Sequence, residues 1–235
     1  MSDLKGKRIL VTGIASGIGK ATAIEVAKCG AQVAGFDFNQ KEGEKTINEI
    51  LAFGGNANFF KVNIMNEQEV ETAVLQANKW MGNIDVLLQI AGVMGGAMVD
   101  IRELEEDVWD EVLNINLKGS FLVVKHVCKI MIPNKKGTII LTASGAGVTG
   151  GSSSYAYGSS KGGTHGLAMV LDYHISRHGI RINDVLPGRV RSGITTKGAS
   201  DEHIKALADP EKVAEVYAFL ASDSAEYVRG TIITR

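Results

Sequence analysis

The sequence predicts one α/β domain with a mostly parallel, doubly wound sheet of seven strands and helices on both faces. Three observations lead there. Short apolar runs alternate with longer helical patterns along the whole chain. The runs RILVT, IDVLLQI and GTIILTA are almost continuously apolar, as strands covered on both faces are. Gly13, Gly17 and Gly19 cluster directly behind the first run, at the start of a helical pattern.

In chain order, the expected strands cover residues 8–12, 32–36, 58–62, 84–90, 137–143, 181–186 and 231–234. The expected helices cover 17–29, 41–53, 67–81, 105–131 and 155–178. The long helix at 105 has an acidic start, Glu103 to Asp107 with Asp110 and Glu111, which suits the helix dipole and needs no other function. A last helix opens at Asp209-Pro210-Glu211, an N-cap, a proline at the first helical position and an acid in the first turn, and runs to about Ser222. No internal repeat, low-complexity tail or linker interrupts the pattern, so residues 1–235 read as one domain.

Composition narrows the function. Of 235 residues, 45% are apolar and 22% charged, and the formal net charge is −1. That balance offers neither a nucleic-acid surface nor a membrane-seeking face. Lys135-Lys136 is a short solvated turn. The opening MSDLKGKRILVTG lacks the apolar length of a signal peptide, and no stretch reaches a bilayer span. Cys29 and Cys128 lie far apart on helical patterns and read as buried free thiols, which fits a reducing, cytoplasmic setting.

In a doubly wound sheet, ligands bind beyond the carboxyl ends of the strands. The first strand runs into TGIASGIG at 12–19. Glycines there let the backbone turn tightly and approach a pyrophosphate, and the helix N-terminus offers its free N–H groups. The second strand ends at Asp37, about 20 residues on, where an acid accepts from ribose hydroxyls and repels a 2′-phosphate. Neither residues 14–16 nor 38–40 contain a lysine or arginine to neutralise such a phosphate. NAD is therefore favoured over NADP.

Tyr157 and Lys161 are spaced i, i+4 and share a helix face. A tyrosine titrates near 10 and needs a shift of roughly 2–3 units to trade protons with an alcohol near neutral pH. A neighbouring ammonium favours the phenolate. Tyr155 has Ser159 four positions on, so it is assigned to pocket wall or packing. Ser144 stands just beyond GTIILTA, thirteen positions before Tyr157, where its hydroxyl can hold a substrate oxygen.

With these pieces in order, the chain resembles the short-chain dehydrogenase/reductase family. The resemblance rests on TGIASGIG at 12–19, Asp37, Asn116 in NINLKGSF, Ser144, YGSSK at 157–161 and NDVLPGRVRS at 183–192, with FLASDSAEYVRGTII echoing the family's closing helix and strand. It implies a Rossmann-type fold, hydride transfer with a nicotinamide cofactor, and a homo-oligomer, commonly a tetramer, built partly from the helices at 105–131 and 155–178. Tyr157 would be the general acid/base. Lys161 would lower its pKa and bind the nicotinamide ribose, Ser144 would orient the carbonyl or hydroxyl, and Asn116 would hold a water linking Lys161 to solvent. Gly13, Ser16, Gly17, Ile18 and Gly19 would cradle the phosphates. Asp37 and Phe38 would hold the adenosine end, Asn63-Ile64 would contact adenine, and Ala91-Gly92 would pass beneath the ribose. Pro187-Gly188 and Val190 would flank the nicotinamide, with Ser192 near the phosphates or carboxamide.

The chain departs from the family pattern in two places. Gln89-Ile90 precede Ala91-Gly92 where the family usually has two asparagines, which implies a different local hydrogen-bond solution. Residues 193–205 are short for the region that folds over the substrate in the family, so the resemblance implies a shortened lid region there. His174 and His178 are spaced like metal ligands but lack a glutamate and a third ligand, so no metal is expected. His165 is assigned to packing.

The expected pocket lining, 93–98, 145–151, Tyr155 and 189–195, is rich in glycine, valine and methionine, with Arg189 and Arg191 its charged members. That favours an uncharged, fairly apolar secondary alcohol or ketone. Arg189 is either a solvent-facing loop residue or a receptor for an acid group. Two rivals stay open: a catalytically silent NAD-binding scaffold or sensor on the same fold, and a 3-oxoacyl-thioester reductase, which would want NADP and a basic patch.

Overall fold

A computed structural model describes residues 2–196 and 200–234. Seven strands form one sheet: β1 (Arg8–Thr12), β2 (Gln32–Asp37), β3 (Asn56–Lys61), β4 (Val86–Gln89), β5 (Gly137–Thr142), β6 (Ile180–Leu186) and β7 (Gly230–Ile233). Their spatial order is β3-β2-β1-β4-β5-β6-β7, and every neighbouring pair is parallel. This is the Rossmann-like arrangement the sequence predicts. The chain winds outward from β1 to β3, then crosses back to β4 on the other side of β1, which opens a crevice above the carboxyl ends of β1 and β4.

The near-continuous apolar strands feed two cores. Ile9 and Val11 of β1 enter one, under the helices α1 (Gly17–Lys28), α2 (Gln40–Ala52) and α10 (Pro210–Ala221). Leu10 enters the other, under α3 (Glu67–Met81), α5 (Ser120–Asn134) and α7 (Tyr155–Ile175). Successive strand side chains point to opposite faces, so a strand with helices on both sides is apolar at every position. Asn39 and Asn66 start α2 and α3 by accepting backbone N–H bonds from Glu42, and from Gln68 and Glu69.

The expected helix at 105–131 is continuous but not uniform. It begins as α4 (Glu106–Leu113), widens into six π-helical residues, Asn114–Gly119, and resumes as α5. Pro133 falls in the last turn of α5, and Lys135 ends it with a left-handed φ of 50°. The strand at 84–90 shortens to β4, and β3 starts two residues earlier than expected. Three short helices were not foreseen: α6 (Gly145–Thr149), which starts behind Ser144, α8 (Gly193–Thr196) and α9 (Asp201–Lys205). The last two lie in the 193–205 segment, of which residues 197–199 fall outside the described residues. Among the described residues, no helix is long and apolar enough to cross a membrane, and Cys29 and Cys128 are buried free thiols, Cys128 with its pKa pushed up to about 11 by burial.

Candidate functional site

At the end of β1 the chain turns through Gly13, at φ 78°, and Gly17, at φ 54°, both in the left-handed region that favours glycine. Close packing is a second constraint. A Cβ on Gly13 would stand 2.9 Å from Ala91 Cα, and one on Gly19 would stand 2.1 Å from the Gly13 carbonyl oxygen. The turn is therefore pressed against Ala91, and α1 starts directly on top of it. Ser16, the N-cap of α1, makes no side-chain cap bond, and no acid occupies the first turn. The positive end of α1 is open to an anion.

Asp37 ties this turn to β2. Its Oδ2 accepts the Ala15 N–H at 2.9 Å and its Oδ1 the Asn39 N–H at 2.8 Å. An ionised carboxylate has about four acceptor sites, so these bonds leave it capacity for ribose hydroxyls. Phe38 projects beside it, 68% exposed. Lys61 pairs in register with Asp37, and its ammonium lies 5.9 Å from the Phe38 ring centroid. This cation escaped the sequence argument because it arrives from β3, not from the neighbourhood of Asp37 in the chain.

Gly92 brings the two halves of the site together. A Cβ there would meet Asn116 Oδ1 at 3.2 Å and Lys161 Nζ at 3.3 Å. The missing family asparagines have a substitute: the Thr12 hydroxyl accepts the N–H groups of both Ile90 and Ala91, at 2.9 and 3.0 Å. Gln89 donates to the Ser120 hydroxyl, while its buried Oε1 has no partner among the described residues. Asn63 accepts the Met65 N–H and shapes the turn after β3, whereas Ile64 is buried beneath Gly119.

Asn116 is fully buried. Its amide donates to the Val93 carbonyl and the Ser160 hydroxyl, both at 2.9 Å, and its Oδ1 accepts the Val93 N–H at 2.8 Å. The π-helical turn is what points this side chain across to the loop after β4. Lys161 is 3% exposed and donates to the Thr142 carbonyl at 2.6 Å. Burial lowers its pKa to about 8. The same ammonium lies 5.9 Å from the Tyr157 ring centroid. The Tyr157 phenol differs from expectation: its pKa is raised above the ordinary value, because burial pushes it upward and the facing Ser144 hydroxyl, with no contribution from Lys161, only partly pulls it back. Ser144 also caps α6 by accepting the Ala146 N–H at 3.2 Å.

The segment after β6 closes over the glycine turn. A Cβ on Gly17 would lie 3.1 Å from Ser192 Cβ. Gly188 donates to the Thr234 hydroxyl, and the Val190 carbonyl accepts from Thr195. Pro187 continues β6 at the same rim. Gly13 against Ala91, Gly92 against Asn116 and Lys161, and Gly17 against Ser192 bring the segments after β1, β4 and β6 together, whereas Ile18 packs against one core and Ile64 is buried in the other. His165 differs from expectation: its ring bonds Asp184 Oδ2 at 2.7 Å, and Asp184 in turn accepts the Thr231 hydroxyl. Asp184 on β6 and Thr231 on β7 are polar strand residues that an apolar-run reading passes over, and His165 reaches Asp184 from α7. Thr12 and Ser154 were missed for the same reason; each is a small hydroxyl whose partner is distant in sequence.

Comparison with known proteins agrees with this geometry. The family model described as short chain dehydrogenase matches residues 7–203. The chain is 34% identical over 238 residues to the 3-oxoacyl-acyl-carrier-protein reductase FabG of Thermotoga maritima, covering 98% of this chain and 96% of that one. It is 33% identical over 235 residues to the cyclohexanol dehydrogenase of an Acinetobacter species, covering 98% and 93%. The crystal structure of levodione reductase superposes with a TM-score of 0.91 at 28% identity, covering 97% of this chain and 96% of that one. With that family model matching most of its length and a relative 34% identical across nearly all of it, the chain belongs to the short-chain dehydrogenase family of oxidoreductases.

Proposed function

We propose that the protein transfers a hydride between NAD and an uncharged, fairly apolar secondary alcohol or ketone, with Tyr157 as general acid/base. The observation that carries this reading is the buried Lys161 ammonium beside the Tyr157 ring, with Ser144 facing the phenol. The glycine turn also suits a dinucleotide: Gly13 and Gly19 let it pack tightly against Ala91 and under α1, and the open end of α1 and the spare acceptors of Asp37 match a pyrophosphate and a ribose. When bound, the nicotinamide supplies the hydride acceptor or donor.

In the oxidative direction the Tyr157 phenolate takes the alcohol proton, and Ser144 holds the reacting oxygen. Lys161 keeps a positive charge next to the phenolate. Asn116 braces Val93 and Ser160 around them. Gly13, Ser16, Gly17, Ile18 and Gly19 hold the phosphates, and Asp37 the adenosine ribose. Phe38, Asn63, Ile64, Ala91 and Gly92 line the adenosine side, and Pro187, Gly188, Val190 and Ser192 the nicotinamide side. Asp37 disfavours a 2′-phosphate, and Lys61, paired in register with it, offsets part of that charge.

Residues 1–235 act as one domain in this reading, with 193–205 as its short lid. The apolar side chains exposed on α5 and α7, Phe121, Met169, Val170 and Tyr173, suit a homotetramer built on those helices, and a cytoplasmic setting suits the free thiols. The test is NADH formation across secondary, cyclic and hydroxy-acid alcohols, with NADP alongside. Turnover of apolar cyclic alcohols with NAD supports the reading. Preferential NADPH-dependent reduction of an acetoacetyl thioester would replace it with the thioester reductase, whose name the Thermotoga relative bears.

A further inference from the structure

We infer that Ser154 is a positioning residue that holds one wall of the substrate pocket, residues 93–98, in register with the Tyr157 phenol. The inference rests on the reading of Tyr157 as acid/base. Ser154 is the N-cap of α7 and is 1% exposed. Its hydroxyl makes two bonds. It accepts a backbone N–H at 3.1 Å, and the donor is Tyr157 itself, at the third helical position. It donates to the carbonyl oxygen of Gly95 at 2.5 Å. One small group therefore joins the acid/base residue to the loop after β4.

That loop is pinned at both ends. At Val93, Asn116 both donates and accepts. At the far end, the Met98 N–H donates to the Ser153 carbonyl at 2.7 Å. Between them, Gly95 packs against α4, where a Cβ would lie 3.0 Å from both Val108 Cγ1 and Val112 Cγ2. The other nearby hydroxyl cannot replace Ser154, because Ser152 donates to the Ser154 carbonyl at 2.7 Å and accepts the Ser154 N–H. Loss of the Ser154 hydroxyl frees the middle of the wall and the Tyr157 backbone together, which changes how an alcohol sits against the phenol. Among the described residues, the glycine turn at 12–19 makes no hydrogen bond to Ser154.

The experiment compares Ser154→Ala, Ser154→Gly and Tyr157→Phe with the wild type. Glycine is nearly as good an N-cap as serine but lacks the hydroxyl, so it separates helix capping from the tie to Gly95. In both Ser154 variants we expect KM for cyclohexanol to rise by about ten-fold or more, with kcat less affected and NADH affinity, read by fluorescence titration, within about two-fold. Hydrogen exchange without substrate should quicken in 93–98 as well as at the start of α7. Wild-type KM in Ser154→Gly, or unchanged exchange in 93–98 in both variants, would reduce Ser154 to a helix cap and overturn the inference. Wild-type turnover in Tyr157→Phe would instead overturn the reading beneath it.

Discussion

The Lys161 ammonium donates to the Thr142 carbonyl at 2.6 Å from a side chain that is 3% exposed. A carbonyl is a dipole and not a counter-charge, so it offsets only part of the cost of burying the cation. The net result is a pKa lowered from 10.5 to about 8. The lysine is thus held as a charge beside Tyr157 at neutral pH, close to the point where it can release a proton.

This burial makes stability depend on pH. Between about pH 8 and 10.5 the unfolded chain holds the Lys161 proton and the folded chain does not, so folding stability rises with pH through that window. A shift of this size corresponds to about 3 kcal/mol. In urea unfolding without cofactor, the wild type should gain up to that amount relative to Lys161→Met as pH is raised across the window. Parallel pH dependences for the two proteins would show that the ammonium is not held this way.

Ser144 faces the phenol and opposes the upward pull of burial on Tyr157. Its removal should raise the phenol pKa further. Alcohol oxidation needs the phenolate, so the acid limb of kcat/KM in Ser144→Ala should move to higher pH. At neutral pH the loss should be about 100-fold, as for one lost donor to a reacting oxygen. Rate profiles from pH 6 to 10 would reveal both effects.

Asp37 holds the Ala15 N–H, and in the proposed reading it also presents a negative charge where a 2′-phosphate would sit. Asp37→Ala removes both. NAD affinity should fall by about ten-fold, one charge-assisted hydrogen bond in energy. NADP affinity should fall less or improve, because Lys61 remains next to Phe38. Fluorescence titration with both reduced cofactors measures the ratio, and an equal loss for the two would contradict the charge argument.

Asn116→Leu leaves the half-buried Val93 N–H and carbonyl without their Asn116 partner. Two orphaned backbone groups cost at most about 2–6 kcal/mol, less where water reaches them. Thermal unfolding should show a large drop in Tm, and hydrogen exchange should quicken at Val93 first.

The fold was legible because its signals are local. Alternating apolar runs, the glycine turn and the Asp209-Pro210 helix start each lie within a few residues, and each appears in the structure where expected. The i, i+4 spacing placed Tyr157 and Lys161 on one helix face, but it was Ser144 and the other motifs in order that gave that spacing weight. The π-helical widening at Asn114–Gly119 was not, because it answers a contact between Asn116 and Val93, 23 positions apart. Thr12 standing in for the missing asparagines and Lys61 arriving beside Asp37 are likewise products of strand register, and His165 pairing with Asp184 of the packing of α7 on β6. Polar side chains that serve a distant backbone group leave no periodic trace in sequence.

The most direct measurement is the rate of NADH formation from cyclohexanol and related secondary alcohols by Tyr157→Phe beside the wild type. Phenylalanine keeps the ring against Lys161 and removes only the hydroxyl. Loss of turnover by about 100- to 10,000-fold, with NADH binding kept, is the result this account requires of a general acid/base. Undiminished turnover by Tyr157→Phe would contradict it and move the proton chemistry to another group.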